Sequence, residues 1–331
     1  MHYSDDCGSS WTIISPDLTT NDTSKHHQDI SGGLTYDATN AENNTCILAI
    51  APSPVDDQVI WVGTDDGNVQ ITRDRGTTWT KLNSRMPGLP KTAWVPQIEV
   101  SNTNAGEAFV VVNNYRQNDW SAYLYHTTDY GRSWRRLVND ANVKSFVTSI
   151  IQDDKEPNLL FLGTDGGLYV SFNKGRNWKH WTEGLPPVQI RDIVVQPRFD
   201  DLVLGTFGRA FWVLDDIGVF RAYAQSNYTS TDFDIVSGTD GYLSQRRSYQ
   251  GLRFIGQAEF VGDNKRPDVM MSIWIKPDGK EEGQKKSQDE NDKKMEKKEK
   301  LIINVLDSRG DTVRTFSQKV KDKGLVRVHW D

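Results

Sequence analysis

One octet recurs along the chain and constrains its fold more than any other feature. Ser4-Asp5-Asp6-Cys7-Gly8-Ser9-Ser10-Trp11 is followed by Thr72-Arg73-Asp74-Arg75-Gly76-Thr77-Thr78-Trp79 and Thr127-Thr128-Asp129-Tyr130-Gly131-Arg132-Ser133-Trp134. A degenerate copy follows at Ser171-Phe172-Asn173-Lys174-Gly175-Arg176-Asn177-Trp178. A single octet would carry little weight, but four in register mark a repeat architecture. The residue types explain the spacing. The carboxylate or carboxamide accepts hydrogen bonds from backbone N–H groups of a turn, and glycine takes a backbone conformation that other residues resist. The Ser or Thr hydroxyl caps the same turn, and the indole plugs the space between neighbouring sheets. Asp6, Gly8, Trp11, Asp74, Gly76, Trp79, Asp129, Gly131, Trp134, Asn173, Gly175 and Trp178 are therefore read as architectural.

A second repeated element precedes the octets. Ile60-Trp61-Val62-Gly63-Thr64-Asp65-Asp66-Gly67 matches Leu160-Phe161-Leu162-Gly163-Thr164-Asp165-Gly166-Gly167, with a third copy from Leu202 to Arg209. Each is a short apolar strand, a Gly-Thr break and a tight turn, and each follows another apolar strand (from Ile47, Val147 and Ile190). One unit thus reads as a four-stranded antiparallel blade of roughly 40 residues, which predicts an all-β fold built as a β-propeller. Blades are expected over 45–85, 94–138 and 146–183, with 188–217 supplying the first strands of another.

Residues 1–15 carry only the last hairpin of a blade. Two arrangements follow. Either this segment pairs with 188–217 to close a small ring, or the chain is the C-terminal part of a longer protein with further blades upstream. An open array exposes sheet edges, which favours the second. The repeat stops near 217. Residues 218–250 read as a polar linker, and 251–331 as an incomplete immunoglobulin- or fibronectin-like β-sandwich, with strands at 253–261, 269–275, 301–306, 312–316 and 325–330. Within it, 276–300 holds nine Lys and eight Asp or Glu. Such a segment buries too little apolar surface to offset its ordering entropy and is expected to be a disordered loop.

Composition excludes several functions. The net charge of −6 over 331 residues gives no basic footprint for nucleic acid. No apolar run is long enough to span a membrane, and the first residues carry no charged-then-apolar leader. Cys7 and Cys46 could pair or be unrelated thiols, and no Cys/His spacing suggests zinc; no metal or cofactor is expected. His26-His27 reads as an exposed loop pair. There is no nucleophile elbow, zinc-protease motif or phosphate-binding loop.

The octet is the Asp box, also called the BNR repeat. With Val59 to Gly67, His126 to Gly131, Gly163 to Phe172 and Gly205 to Ile217, it makes the chain resemble bacterial BNR-repeat proteins described as sortilin-like or glycosyl-hydrolase-like. Val305-Leu306-Asp307 and Val328-His329-Trp330-Asp331 are similar to the immunoglobulin-like domain that follows the propeller there. The resemblance implies a secreted, periplasmic or outer-membrane-associated protein. It does not make the Asp-box aspartates catalytic, because in that group the boxes are structural.

Two functions stay open. The first is a non-catalytic propeller scaffold that binds a protein, peptide or glycan, with Trp94, Tyr115, Trp120 and Trp181 as candidates to line a cleft. The second is a glycoside hydrolase of sialidase or xyloglucanase type, which needs two carboxylates about 5–10 Å apart. Asp65, Asp66 and Asp165, on the Gly-Thr turns, are the candidates for that pair.

Overall fold

The computed structural model describes residues 1–25, 44–226, 228–241, 266, 268–277, 300–320 and 323–330. The chain forms two compact units, Met1–Leu214 and Asp215–Asp331.

The first unit is all β. A short hairpin, β1 (His2–Tyr3) with β2 (Thr12–Ile13), carries the first octet in its turn. A four-stranded meander follows: β3 (Ile47–Pro52), β4 (Ile60–Thr64), β5 (Val69–Thr72) and β6 (Thr80–Lys81). The second has β7 (Trp94–Val100), β8 (Ala108–Asn114), β9 (Asp119–Thr127) and β10 (Arg135–Arg136). The third has β11 (Val147–Gln152), β12 (Leu160–Thr164), β13 (Gly167–Ser171) and β14 (Lys179–Trp181). The last sheet has three strands, β15 (Ile190–Gln196), β16 (Asp201–Thr206) and β17 (Phe211–Leu214). The propeller blades expected from the repeat are thus present. The small ring is not: among the described residues β1 and β2 pair only with each other, and no strand of 188–217 joins them.

Blade stacking explains why the central strands are apolar on both faces. Along β8, Ala108, Val110 and Val112 enter the core shared with Trp61 and Val69 of the first blade and Val95 of β7. Phe109 and Val111 alternate into the core shared with Val147, Ile150 and Leu162. The period of two therefore serves two interfaces at once.

Two glycine contacts recur between blades. The octet glycine sits against the residue three positions after the Trp of the preceding octet. A Cβ on Gly131 would meet Leu82 Cδ1 at 2.6 Å, and one on Gly175 would meet Leu137 Cδ1 at 2.7 Å, while one on Gly76 would collide with Ile14. The glycine of the Gly-Thr break admits the first strand of the next blade, with Gly63 against Val95 and Gly163 against Ile190. Each first strand also carries a register irregularity near its start, at Ile47/Ala49, Trp94/Gln97, Val147/Ser149 and Ile190/Asp192. Such bulges re-aim side chains at sheet rims.

The second unit holds a helix, α1 (Gly218–Ser226), and the antiparallel sheet β18 (Phe233–Gly238), β19 (Val269–Ile275) and β22 (Gly324–Trp330). A separate hairpin pairs β20 (Lys300–Leu306) with β21 (Thr312–Lys319). The stretch read as a linker is therefore ordered over most of 218–238. Val219 and Phe220 are buried, and Asp216 accepts hydrogen bonds from Gly218 N (2.9 Å) and Ser237 Oγ (3.1 Å). Polar composition concealed this, because two apolar side chains and one cap suffice to seat a nine-residue helix. The expected strand at 253–261, the pair His26-His27 and 278–299 of the charged insert lie outside the described residues.

Candidate functional site

The octets hold their own turns. Asp74 Oδ1 accepts from Thr78 N (2.8 Å) and its Oδ2 from Thr78 Oγ1 (2.6 Å), while Thr72 Oγ1 accepts from Gly76 N (2.8 Å). Trp79 Nε1 donates to Gly76 O (3.1 Å). Asp6 and Asp129 repeat this set with Ser10 and Ser133. The Ser10 amide and hydroxyl draw the Asp6 pKa down to about 2. For Asp129, burial pushes upward, but the Ser133 and Thr127 hydrogen bonds outweigh it and the result is again about 2. Asn173 accepts from Asn177 N (2.8 Å), and Trp178 Nε1 is buried without a partner. Acceptors held this way have no proton to give at neutral pH.

Asp65, Asp66 and Asp165 are also engaged. Asp65 Oδ1 accepts from Cys46 N (2.7 Å), and burial raises its pKa. Asp66 is buried and accepts from the Thr64 hydroxyl and the Thr20 amide. Asp165 Oδ1 accepts from Gln189 Nε2 (2.9 Å). Cys7 and Cys46 form no disulfide.

The repeat breaks in one place, and a cleft opens there. By register, the first residue of each first strand faces the last residues of the second: Ile47 faces Thr64, Val147 faces Thr164, and Ile190 faces Thr206. In the second blade Trp94 faces Asn113, and the Gly-Thr turn is replaced by a longer loop with a 3-10 turn at Tyr115–Gln117 and left-handed Asn118. Asp119 anchors this loop by accepting from Asn114 Nδ2 (3.1 Å), Ser121 N (3.1 Å) and Tyr123 OH (2.9 Å). Thr64, Thr164 and Thr206 use their hydroxyls to close their own turns. Asn113 has a buried Oδ1 with no donor.

The cleft has a volume of 330 Å³ and takes side chains from the first strands of all four sheets: Leu48, Trp94 with Gln97, Thr148, and Arg191 with Asp192. Asn113, Tyr115 and Arg116 complete one wall. A second cavity of 250 Å³ shares Trp94, Asn113 and Arg116 with it and reaches Asp65 and Asp66. The Arg116 guanidinium lies 3.3 Å from the Trp94 ring centroid and 4.4 Å from that of Tyr115, a cation–π sandwich. Burial lowers its pKa; Tyr115 opposes this, and the like charge of Arg191 adds to it. Among the described residues neither Arg116 nor Arg191 has an ion-pair partner. Tyr115 also stacks on Phe146 (4.6 Å) and touches Trp120 (6.0 Å), which is 56% exposed.

Three of the four aromatic candidates thus meet at one rim. Trp181 does not: it sits on β14 opposite Leu168, its Nε1 bound to Glu183 O (3.1 Å). Sequence reasoning missed Arg116, Arg191, Asn113 and Glu99. The usable signal was the absent Gly-Thr in the second blade. Glu99, on β7, accepts from Gln152 N (3.4 Å). Burial pushes its pKa up to about 7, with the charges of Asp154 and Asp192 adding to the rise. Such a carboxyl carries a proton near neutrality. The described residues contain no group of three or more His, Cys, Asp or Glu able to hold a metal ion, and no helix long and apolar enough to cross a membrane.

The family model of Sortilin-Vps10, described as sortilin, neurotensin receptor 3, matches residues 1–167, half of the chain. The chain belongs to the Sortilin-Vps10 family. It is also similar to a "Probable oligoxyloglucan-reducing end-specific xyloglucanase" of Neosartorya fischeri. That match is 28% identical over 118 residues, covering 33% of this chain and 13% of the relative. An oligoxyloglucan-reducing end-specific xyloglucanase of Emericella nidulans is 24% identical over 168 residues, covering 45% and 19%. The chain thus spans less than a fifth of the length of these relatives. Among solved structures, the GH74 xyloglucanase of Xanthomonas campestris is similar with a TM-score of 0.41 at 14% identity, covering 69% of this chain and 35% of that one. Within this Sortilin-Vps10 chain, the family match includes Trp94, Asn113, Tyr115 and Arg116 but ends before Arg191.

Proposed function

We propose that the first unit is a non-catalytic binding propeller, acting at the cell envelope or outside the cell on a protein, peptide or glycan. The observation that carries this is the pair of unpartnered guanidinium groups in the cleft, one of them fixed between Trp94 and Tyr115. Both arginines are open to solvent, and a cation held on aromatic faces within reach of solvent is suited to recognition. Asp192 is the one carboxylate among the lining residues of the larger cavity, so the acid–base pair of a glycosidase is not assembled there. The second unit is read as a β-sandwich spacer. A panel of glycans and peptides titrated against the whole chain, with reducing ends assayed in parallel, tests the reading. Binding weakened by R116Q without product release supports it; product release sinks it.

A second reading keeps a specific support. Glu99 is a carboxyl near pH 7, Asp192 is a neighbouring carboxylate, and the curated relatives carry xyloglucanase names. A glycoside hydrolase using Glu99 as acid would release reducing ends from xyloglucan, and E99Q would abolish the release.

A further inference from the structure

The cleft's unmet hydrogen-bonding groups specify more than a generic ligand. Two of these groups are cations. Arg116 and Arg191 line the same 330 Å³ cavity, repel one another, and have no carboxylate partner among the described residues. The others are acceptors. Asn113 is 6% exposed and donates its Nδ2 to Val147 O (3.5 Å), so its Oδ1 points elsewhere and is buried without a donor. Asn114 donates to Asp119 Oδ2 (3.1 Å), and its Oδ1 is likewise buried and unpartnered. Groups of this kind are normally satisfied in a folded protein, and exceptions call for an explanation. Beside them, Trp120 stands exposed next to Tyr115 and offers an aromatic face.

We infer that the cleft binds a carboxylate-bearing sugar, a uronic-acid residue of an acidic glycan. This rests on the binding reading above. One uronate ring brings a carboxylate for the two guanidinium groups and hydroxyl donors for Asn113, with Asn114 lining the adjoining 250 Å³ cavity. It also brings a C–H face for Trp120. A neutral glucan has the hydroxyls but leaves both cations unpaired. An acidic peptide has the anion, but only one backbone N–H per residue to meet clustered acceptors. Asp192, at the mouth, already accepts from Ile193 N (2.9 Å) and limits how close a second anion can approach.

Calorimetric titration of the whole chain with trigalacturonate, its fully methyl-esterified form, cellotriose and triglutamate tests the inference. Trigalacturonate is expected to bind, and the ester and cellotriose to bind at least tenfold more weakly. R116Q and R191Q should each weaken trigalacturonate binding at least tenfold, with an unchanged thermal transition showing that each variant folds. Equal binding of the ester, tighter binding of triglutamate, binding that survives both substitutions, or no trigalacturonate binding at millimolar concentration overturns it. If cellotriose or triglutamate binds instead, and R116Q abolishes that binding, the uronate assignment falls while the binding propeller stands. If none of the four probes binds and xyloglucan is cut, both fall.

Discussion

Two glycines with the same backbone requirement and different surroundings separate turn geometry from blade packing. Gly131 has φ +72° and Gly208 has φ +84°. Alanine at either position pays the left-handed penalty of roughly 1–2 kcal/mol. It recovers about 0.4–1 kcal/mol from the less disordered unfolded chain. At Gly208 nothing lies within 4 Å of the added Cβ, so G208A is expected to cost about 1 kcal/mol. At Gly131 the Cβ lands 2.6 Å from Leu82 Cδ1 and 3.1 Å from Cδ2. Leu82 is fully buried in the core between the first two blades and cannot swing into solvent. Overpacking of that kind adds roughly 1–3 kcal/mol, so G131A should cost about 2–4 kcal/mol in total.

Urea denaturation of the whole chain, followed by tryptophan fluorescence, reads both variants as shifts in midpoint at unchanged slope. A double variant completes the test. L82A alone opens a cavity worth roughly 2–5 kcal/mol. Combined with G131A it makes room for the new methyl, so the pair should fall short of additivity by about 1–3 kcal/mol. Equal costs for G131A and G208A, or strict additivity in the double variant, would refute the claim that octet glycines are there to admit the preceding blade.

Three further outcomes follow from buried charge and box chemistry. Glu107 Oε1 is shared by His126 Nε2 and Lys174 Nζ, both at 2.8 Å; burial raises its pKa, but these two partners outweigh that and hold it at about 2. Its contribution is therefore present above the ordinary Glu range and lost as pH falls from about 4.5 toward 2; K174M should cost about 3 kcal/mol near neutrality and flatten that acid limb in a pH series of urea midpoints. Glu99 has the opposite sign: with its folded pKa raised to about 7, the native state is penalised as pH rises from about 4.5 through 7. E99Q should then match the wild type below pH 4 and exceed it by roughly 3 kcal/mol above pH 8, and no gain there would refute the burial argument. D129N, which reproduces the residue already present at Asn173, should cost under about 1 kcal/mol, whereas D129A, which leaves the exposed Ser133 donors to water and removes the Thr127 acceptor, should cost about 0.5–2 kcal/mol.

The blades were legible because each is fixed by local chemistry repeated in register. A turn-closing Asp, an obligatory Gly and a plugging Trp can be read from eight residues. The alternation of Ala108 to Val112 between two cores was legible for the same reason. The helix at 218–226 was not, since its seating depends on the Asp216 cap and two apolar contacts within a polar stretch. The cleft was half legible. Trp94, Tyr115 and Trp120 stood out as residue types, but nothing in a linear sequence says that the second blade and the last sheet bring Arg116, Asn113 and Arg191 to the same cavity. Arginine has no spacing signature of its own. Asp65, Asp66 and Asp165 drew notice by type, although their carboxylates are occupied by the amides of Cys46 and Thr20 and the side chain of Gln189.

The same accounting separates scaffold from site. At the scaffold positions the Gly-Thr hydroxyls and the Asp-box carboxylates find partners within their own turns: Thr64 with Asn68, Thr164 with Gly167, Asp74 with Thr78. A repeat can be copied from blade to blade because each unit satisfies itself. The second blade departs from this economy at the two register positions that face each other, Trp94 and Asn113, and there the hydrogen-bonding groups stop closing. The carboxamide oxygens of Asn113 and Asn114 lack donors, and the adjoining guanidinium of Arg116 is held on aromatic faces in place of a carboxylate. Each departure costs stability relative to a fourth Gly-Thr turn, and Trp94, Asn113 and Arg116 all line the same two cavities. A structural irregularity would have no reason to gather two cations and an unpartnered acceptor around the same space. Cations without carboxylate partners among the described residues and an unpartnered acceptor that line one cavity, where the repeat breaks, are what distinguish a binding site from the framework that carries it.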